Sequence, residues 1–292
     1  MFNRLCIIGT GLIGGSIARA ARAHGLCRQI VAFGREKNLP NLQLAKQLGV
    51  IDQFYTDITA ALENTDLVMI ATPVGSMQSI FELIKPYWNS QTLYSDAGST
   101  KASVVEAAKA AFGRVPDNFV PAHPIAGAER SGVDASDAAL FQNRRLIITP
   151  LADTDPAAVE KLSHFWQQIG SSVSLMSVEH HDTVLAATSH LPHILAFALV
   201  GLLGRKDEQR EIFKYAAGGF KDFSRIASSD PTMWTDICLA NKQEIIPLIQ
   251  QLKAELGSIE QFLVAEQAQA LFEGFTYARN ARQRFLDTLD ES

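Results

Sequence analysis

Histidine exchanges a proton near neutral pH more readily than any other side chain, so the seven histidines of this 292-residue chain are where chemistry is sought first. His123 stands in Ala122-His123-Pro124-Ile125-Ala126-Gly127, at the end of an apolar run, 119–122, that reads as a strand. A neutral imidazole at the carboxyl edge of a sheet could take a proton from a substrate hydroxyl as hydride leaves the same carbon. Standing alone, it could equally be a hydrogen-bonded structural histidine. Four of the seven histidines fall in His180-His181-Asp182 and Ser189-His190-Leu191-Pro192-His193. A metal site would need a further ligand at suitable spacing, and no cysteine or acidic pair supplies one. The expectation is therefore no metal, and a helix kinked at Pro192 that presents His193 to a cleft.

Two further segments carry polar groups that could converge there. Asp96-Ala97-Gly98-Ser99-Thr100-Lys101 ends another strand, so Ser99 could bridge cofactor and substrate, while Lys101 either pairs with a carboxylate or lies in solvent. Taken alone, the segment reads as a turn and helix cap. Gly218-Gly219-Phe220-Lys221-Asp222-Phe223-Ser224-Arg225 ends in a guanidinium after a glycine pair. Arg225 could clamp a carboxylate; alone, such an arginine is more often a surface salt bridge.

What these groups would act with is indicated at the start of the chain. Gly9-Thr10-Gly11-Leu12-Ile13-Gly14 follows a predicted strand and opens a predicted helix. Gly9 permits the tight turn, Gly11 lets the backbone approach a pyrophosphate, and Gly14 allows close helix–strand packing. The helix N-terminus, at Leu12 and Ile13, offers unpaired amides to the phosphates. Thr72 and Pro73, after the strand 67–71, complete the expected dinucleotide site. At the end of the second strand, Phe33-Gly34-Arg35-Glu36 has Gly34 where a ribose-binding carboxylate would stand. Arg35 suits a 2′-phosphate, which leans the cofactor expectation towards NADP over NAD, although Glu36 could still reach a ribose.

The elements that must position these groups change character once along the chain. Short apolar runs at 5–8, 30–33, 67–71, 92–95, 119–122, 146–149 and 173–176 read as strands. Helical patterns at 16–23, 77–85, 102–110 and 157–169 lie between several of them. Such alternation implies an α/β Rossmann domain with a mostly parallel sheet, over 1–178. From 179 to 292 only helical periodicity remains. Asp230 with Pro231 marks a helix start, and Ser258 with Gln261 resembles a capping box opening a final amphipathic helix. Pro192 and Pro247 are each expected to kink or divide a helix.

Bulk properties exclude several classes. Charged residues make up 20% and the net charge is −5, without a dense Lys/Arg stripe, so a nucleic-acid partner is not expected. Three scattered cysteines form neither a disulfide framework nor a zinc spacing, and the N-terminus runs directly into a strand. A reducing cytoplasm without a signal peptide is the simplest reading. The apolar stretch 184–203 is interrupted by Thr188, Ser189, His190, Pro192 and His193, which leaves an uninterrupted run, 194–203, too short for a bilayer needing roughly 20 residues. A buried core helix is expected instead, with no membrane partner.

Together, GTGLIGGS at 9–16, DAGSTK at 96–101, HPIAGAERSG at 123–132, HDTVLAATSHLPH at 181–193 and GGFKDFSRIASSDPTMW at 218–234 resemble the prephenate/arogenate (cyclohexadienyl) dehydrogenase family. The resemblance implies oxidative decarboxylation of a small dianion in tyrosine biosynthesis: hydride passes from substrate C4 to NAD(P), CO₂ leaves, and the ring becomes aromatic. It assigns His123 to the C4 hydroxyl, Ser99 to positioning, Arg225 to a substrate carboxylate, and His193 to the pocket wall. Ser229 and Trp234 help shape that pocket, and Glu129 is the nearest group able to read the ammonium of arogenate. Prephenate, or both substrates, is favoured over strict arogenate use. The helical domain is implied to form a homodimer. A β-hydroxyacid dehydrogenase or imine reductase shares the domain order but lacks this motif set. A nucleotide-sensing protein would need the fold without the base and clamp.

Overall fold

The computed structural model describes residues 1–128, 130–206 and 211–290. The first half alternates β1 (Phe2–Ile8), α1 (Leu12–Ala23), β2 (Cys27–Phe33), α2 (Leu39–Gln47), β3 (Gln53–Tyr55), α3 (Ile58–Leu62), β4 (Leu67–Ile70), α4 (Met77–Ile84), β5 (Leu93–Asp96), α5 (Ala102–Phe112) and β6 (Phe119–Val120). Their strands form one parallel sheet in the order β3-β2-β1-β4-β5-β6. The order reverses beside β1, which puts a topological switch point at the end of β1, where the glycine loop begins.

The near-continuous apolar strands follow from burial on both faces. Leu5 and Ile7 of β1 join Ile17, Leu67, Met69, Phe165 and Trp166 in one core. Cys6 and Ile8 point the other way, into a second core with Val68, Ile70, Met77, Ile80 and Phe81. Each such aliphatic side chain contributes about 1.5–3 kcal/mol of burial.

At Pro121 the chain changes sheets. β7 (Ala122–Pro124) pairs antiparallel with β8 (Arg145–Ile148), and after α6 (Pro156–Ile169) comes β9 (Ser172–Leu175), parallel to β8. The single strand expected over 119–122 is thus two. Pro121 has no N–H for a ladder, and its carbonyl accepts from the Thr149 amide at 2.9 Å. β3 was not expected either. Three residues are too few for a period-2 pattern to show.

Beyond β9 the chain is helical: α7 (Val178–Leu185), α8 (Leu191–Lys206), α9 (Gly218–Ser224), α10 (Pro231–Ala240), α11 (Lys242–Val264) and α12 (Ala268–Asp290). A π turn, Ala186–His190, joins α7 to α8, so Pro192 does not divide the run. The wider turn accommodates its missing N–H. Pro247 sits inside α11, which likewise continues through it. Asp230 caps α10 as expected, its carboxylate accepting from the Met233 amide at 2.9 Å. Ser258 does not open a helix. It lies within α11, where its hydroxyl donates to the Ala254 carbonyl at 3.1 Å, because the flanking apolar periodicity carries the helix through.

The run Val178–Lys206 is long and apolar enough to cross a membrane by length and composition. Its α8 part is not the buried core helix expected: among its described residues only Ala196 is buried, the others being partly covered or exposed. By compactness the chain divides into Met1–Glu244 and Ile245–Ser292. The second unit comprises α12 and most of α11, linked by a turn with Glu266 in the left-handed region at φ 50°. It leaves Val264 81%, Phe272 65% and Tyr277 70% exposed.

Candidate active site

The glycine loop has the shape that a dinucleotide requires. Gly9 adopts φ 100°, and a Cβ there would lie 2.6 Å from the Ala71 carbonyl oxygen. A Cβ on Gly14 would fall 1.9 Å from the Gly9 carbonyl oxygen, so helix and strand touch through it. Around Gly11 the opposite holds: nothing stands within 4 Å of an added Cβ. Gly11 is also the N-cap of α1 and provides no side-chain cap, so the first-turn amides at Leu12 and Ile13 await an outside acceptor. Asn41 steadies the loop by donating to the Thr10 carbonyl at 3.0 Å and the Thr10 hydroxyl at 2.7 Å. Thr72, beside Gly9, has a buried hydroxyl with no hydrogen-bond partner among the described residues. Pro73 follows it, exposed. Arg35 is exposed beyond β2 and donates to Ser79 Oγ at 3.1 Å. This backbone cradle fits a nicotinamide dinucleotide.

His123 lies just past the carboxyl end of β6, as expected, but on a strand of the second sheet. Its backbone is anchored by a buried ion pair that sequence reasoning left open. Lys101 and Asp96 are each 0% exposed and pair with one another. Lys101 Nζ donates to the Ala122 carbonyl at 2.6 Å, and Asp96 accepts from the Ala122 amide at 3.1 Å and the Gly98 amide at 2.7 Å. Both backbone polar groups of the residue before His123 are therefore held. Burial pushes the Lys101 ammonium below its usual value, opposed by Asp96. Removing either partner would strand a buried charge, at a cost of about 3–5 kcal/mol.

The His123 ring meets a second imidazole. Its Nδ1 is 2.9 Å from His181 Nε2, and His181 Nδ1 is 2.7 Å from Asp182 Oδ1. Asp182 also accepts from the Lys101 amide at 2.8 Å and the Ala102 amide at 2.9 Å, the first N–H groups of α5. Burial alone would raise the Asp182 carboxyl, but donation from His181 and from these amides outweighs it and holds the carboxyl below its usual range. Desolvation lowers His123 well below its ordinary value, reinforced by His181, Lys101 and His190. Desolvation lowers His181 too, against the pull of Asp182. Both rings are thus neutral at pH 7.

The helical residues extend this cluster. Asn241 Nδ2 donates to the Asp182 carbonyl at 2.8 Å and lies 3.1 Å from His190 Nδ1. Burial pushes His190 down to about 4. His193 stacks on Trp234 with centroids 3.7 Å apart, and its Nδ1 donates to the Ser189 carbonyl at 2.9 Å. Desolvation lowers His193, the Ser189 bond opposes this, and the nearby Arg225 charge lowers it further. Asp236 of α10 accepts from the Gly75 amide at 3.3 Å, tying the Trp234 helix to the loop that follows Thr72 and Pro73.

Of the expected site residues, His123 and His193 are thereby linked, through His181, Asp182, Asn241, His190 and Trp234, the last two with ring centroids 6.1 Å apart, while Arg225 bears on His193 by its charge. Ser99 lies half-buried in the loop between β5 and α5, two residues before Lys101, and Ser229 lies partly covered before the Asp230 cap. Glu129 falls outside the described residues. Among the described residues no three His, Cys, Asp or Glu side chains gather to hold a metal. Sequence reasoning missed Asp96, Asp182 and Asn241, and it gave His181 and His190 no role. One signal was available. Val178, His181, Asp182 and Leu185 are the buried residues of α7, at the i, i+3, i+4, i+7 spacing of an apolar stripe. A histidine and an aspartate occupy two of its four positions.

Comparison with known proteins places this arrangement. Residues 17–175 match the family described as prephenate dehydrogenase, nucleotide-binding domain, and residues 177–277 match prephenate dehydrogenase, dimerization domain. A cyclohexadienyl dehydrogenase from Zymomonas mobilis is 36% identical over 97% of this chain and 96% of its own length. A prephenate dehydrogenase from Bacillus subtilis is also 36% identical, over 97% of this chain and 76% of its own. The crystal structure of an A. aeolicus prephenate dehydrogenase in complex with hydroxyphenyl propionate and NAD+ superposes with a TM-score of 0.89 at 33% identity, covering 98% of this chain and 99% of that one.

Proposed function

The chain belongs to the prephenate dehydrogenase family, and from that premise we propose that it oxidatively decarboxylates prephenate, accepting arogenate as a second substrate. It is an oxidoreductase with a nicotinamide cofactor, which when bound accepts the hydride from substrate C4. The observation that carries the reading is His123: a neutral, partly buried imidazole just beyond the sheet edge, following Ala122, whose amide and carbonyl are held by Asp96 and Lys101.

In this reading His123 takes the C4 hydroxyl proton as the C4–H bond breaks. The C1–carboxylate bond then releases CO₂, its electron pair enters the ring, and the proton returns to the phenol oxygen. Aromatisation supplies the driving force, so the protein contributes orientation, charge placement and one base. Arg225 grips the ring carboxylate, with His193 and Trp234 as the adjoining wall and Ser229 near it. Ser99 positions the substrate next to the nicotinamide. Glu129 is the group assigned to the ammonium of arogenate.

Several finer points belong to the same proposal. NADP is preferred over NAD, because Gly34 leaves no ribose carboxylate and the Arg35 guanidinium, steadied by Ser79 Oγ, suits a 2′-phosphate. The working domains are 1–178 for the dinucleotide and 179–292 for substrate and dimer. The exposed apolar residues of α8, α11 and α12 support a homodimer through the helical part, in the cytoplasm, without a membrane or nucleic-acid partner.

The test is the rise of reduced-nicotinamide absorbance with CO₂ release when prephenate, then arogenate, is added with NADP or NAD. No turnover with either substrate would overturn the activity, and turnover of a simple β-hydroxyacid would favour the alternative enzyme class. Arg225→Ala should raise the substrate KM by roughly tenfold or more, since an unpaired carboxylate in a closed site is costly. Arg35→Ala should lower kcat/KM with NADP and spare NAD.

A further inference from the structure

We propose that His181, anchored by Asp182, is a positioning residue that fixes the tautomer of His123 so that His123 Nε2 carries the free lone pair. The inference rests on the reading of His123 as the proton acceptor, but its geometry stands apart from any substrate.

Proton counting along the chain allows one assignment. Asp182 receives three N–H donors, the Lys101 amide at 2.8 Å, the Ala102 amide at 2.9 Å and His181 Nδ1 at 2.7 Å. Two of these sit at the N-terminus of α5, where the helix dipole favours an anion. An ionised carboxylate only accepts, so His181 Nδ1 bears the proton. A neutral His181 then has a bare Nε2, which can only accept. Its neighbour at 2.9 Å, His123 Nδ1, must therefore donate. A neutral His123 has one N–H, now spent, and Nε2 remains as base.

The arrangement matters because a neutral imidazole has two tautomers, of which only one can accept a proton at Nε2. In the wrong one, the same ring in the same place is a donor. When His123 becomes imidazolium, its Nδ1–H already faces the His181 lone pair, and the charge is backed by Asp182. The other charged or titratable groups that bear on His123 and His181 are Lys101, Asp96 and His190. Among the described residues none of them hydrogen-bonds to either ring, so the His181 contact sets the tautomer. The arrangement also explains why α7 spends two positions of its buried stripe on His181 and Asp182 rather than on apolar residues.

The test uses the full chain with ¹⁵N-labelled histidine. The His123 signals, assigned by their loss in His123→Asn, should show protonated Nδ1 and bare Nε2 in the wild type. In His181→Leu, His123 should shift towards the Nε2–H form. Its kcat should fall about 10²-fold, the lower range for a positioned base, with both KM values changed less than about threefold. His181→Gln, whose Oε1 can accept the same N–H, should recover most of the loss. A wild-type His123 protonated at Nε2 overturns the proposal, as does His181→Leu with unchanged kcat. If His181→Leu does not fold, the wild-type spectrum decides alone. If that spectrum is as expected but no cofactor supports turnover of prephenate, the activity is wrong and the positioning stands.

Discussion

The glycine loop and the histidine cluster are both sites, yet they are built from different materials. The loop is backbone: Gly9, Gly11 and Gly14 act through what they lack, and they stand within six consecutive residues, with Ala71 the distant neighbour that Gly9 must clear. The cluster is side chain: His123 and His181 lie 58 residues apart, and His190 meets Asn241 across 51. A site made of backbone tolerates no bulk where it packs, at Gly9 and Gly14, but carries no charge to disturb. A site made of distant side chains depends on the whole fold and on the protonation of each member.

That contrast can be broken or sharpened by experiment. Gly14→Ala should have the largest effect, because its Cβ would overlap the Gly9 carbonyl at 1.9 Å. The expected outcome is loss of soluble, cooperatively folding protein, a cost of roughly 3 kcal/mol or more, checked by urea unfolding. His123→Asn should leave cofactor affinity and melting temperature intact while kcat drops by roughly 10²–10⁴, measured by steady-state kinetics and cofactor titration. Near wild-type turnover would remove His123 from its role.

Acid should strike the cluster and spare the loop, which has no titratable group. His190 binds a proton near pH 4 when folded, against an ordinary value of 6.5. Between these limits the unfolded chain holds more protons, so stability falls as pH drops from 6.5 towards 4, by roughly 3 kcal/mol for this residue. His123, His181 and His193 are shifted the same way. Urea midpoints at pH 7 and 5 test this, and equal midpoints would contradict it. The smallest effect is expected for Gly11→Ala. Its Cβ meets nothing in the protein, so the melting temperature should stay put while cofactor affinity weakens about tenfold, read by titration.

The same contrast explains what could be read in advance. The parallel sheet, its helices and the dinucleotide loop follow from periodicity and spacing over short windows, and so does the Asp230–Pro231 start of α10. The Pro121 sheet change escaped notice because 119–122 has one uninterrupted apolar pattern, and pattern does not say which sheet a strand joins. Lys101 was ambiguous for a similar reason: nothing local reveals that Asp96 waits five residues back with a shared backbone target. Asn241 offers no sequence signal at all. Ser258 shows the reverse failure, a local motif overruled by the longer helical period around it. The exposed side of α8 likewise gave no sign in the sequence, since an apolar run reads the same whether it is buried or not.

The π turn at Ala186–His190 has a consequence of its own. A π turn accommodates one residue more than α spacing allows, and each residue advances a helix by about 100°. Deleting any one of those five would give a more regular helix with its ordinary bonding restored. Because the wider turn absorbs the extra residue, the helices on either side would keep their facing, with His181 and His193 close to where they are, while the side chains of the turn itself, His190 beside Asn241 among them, would be re-aimed. The meeting of His190 with Asn241 is in this respect encoded by a count of residues and not by their kinds, so a chain one residue shorter has the more regular helix and loses that contact.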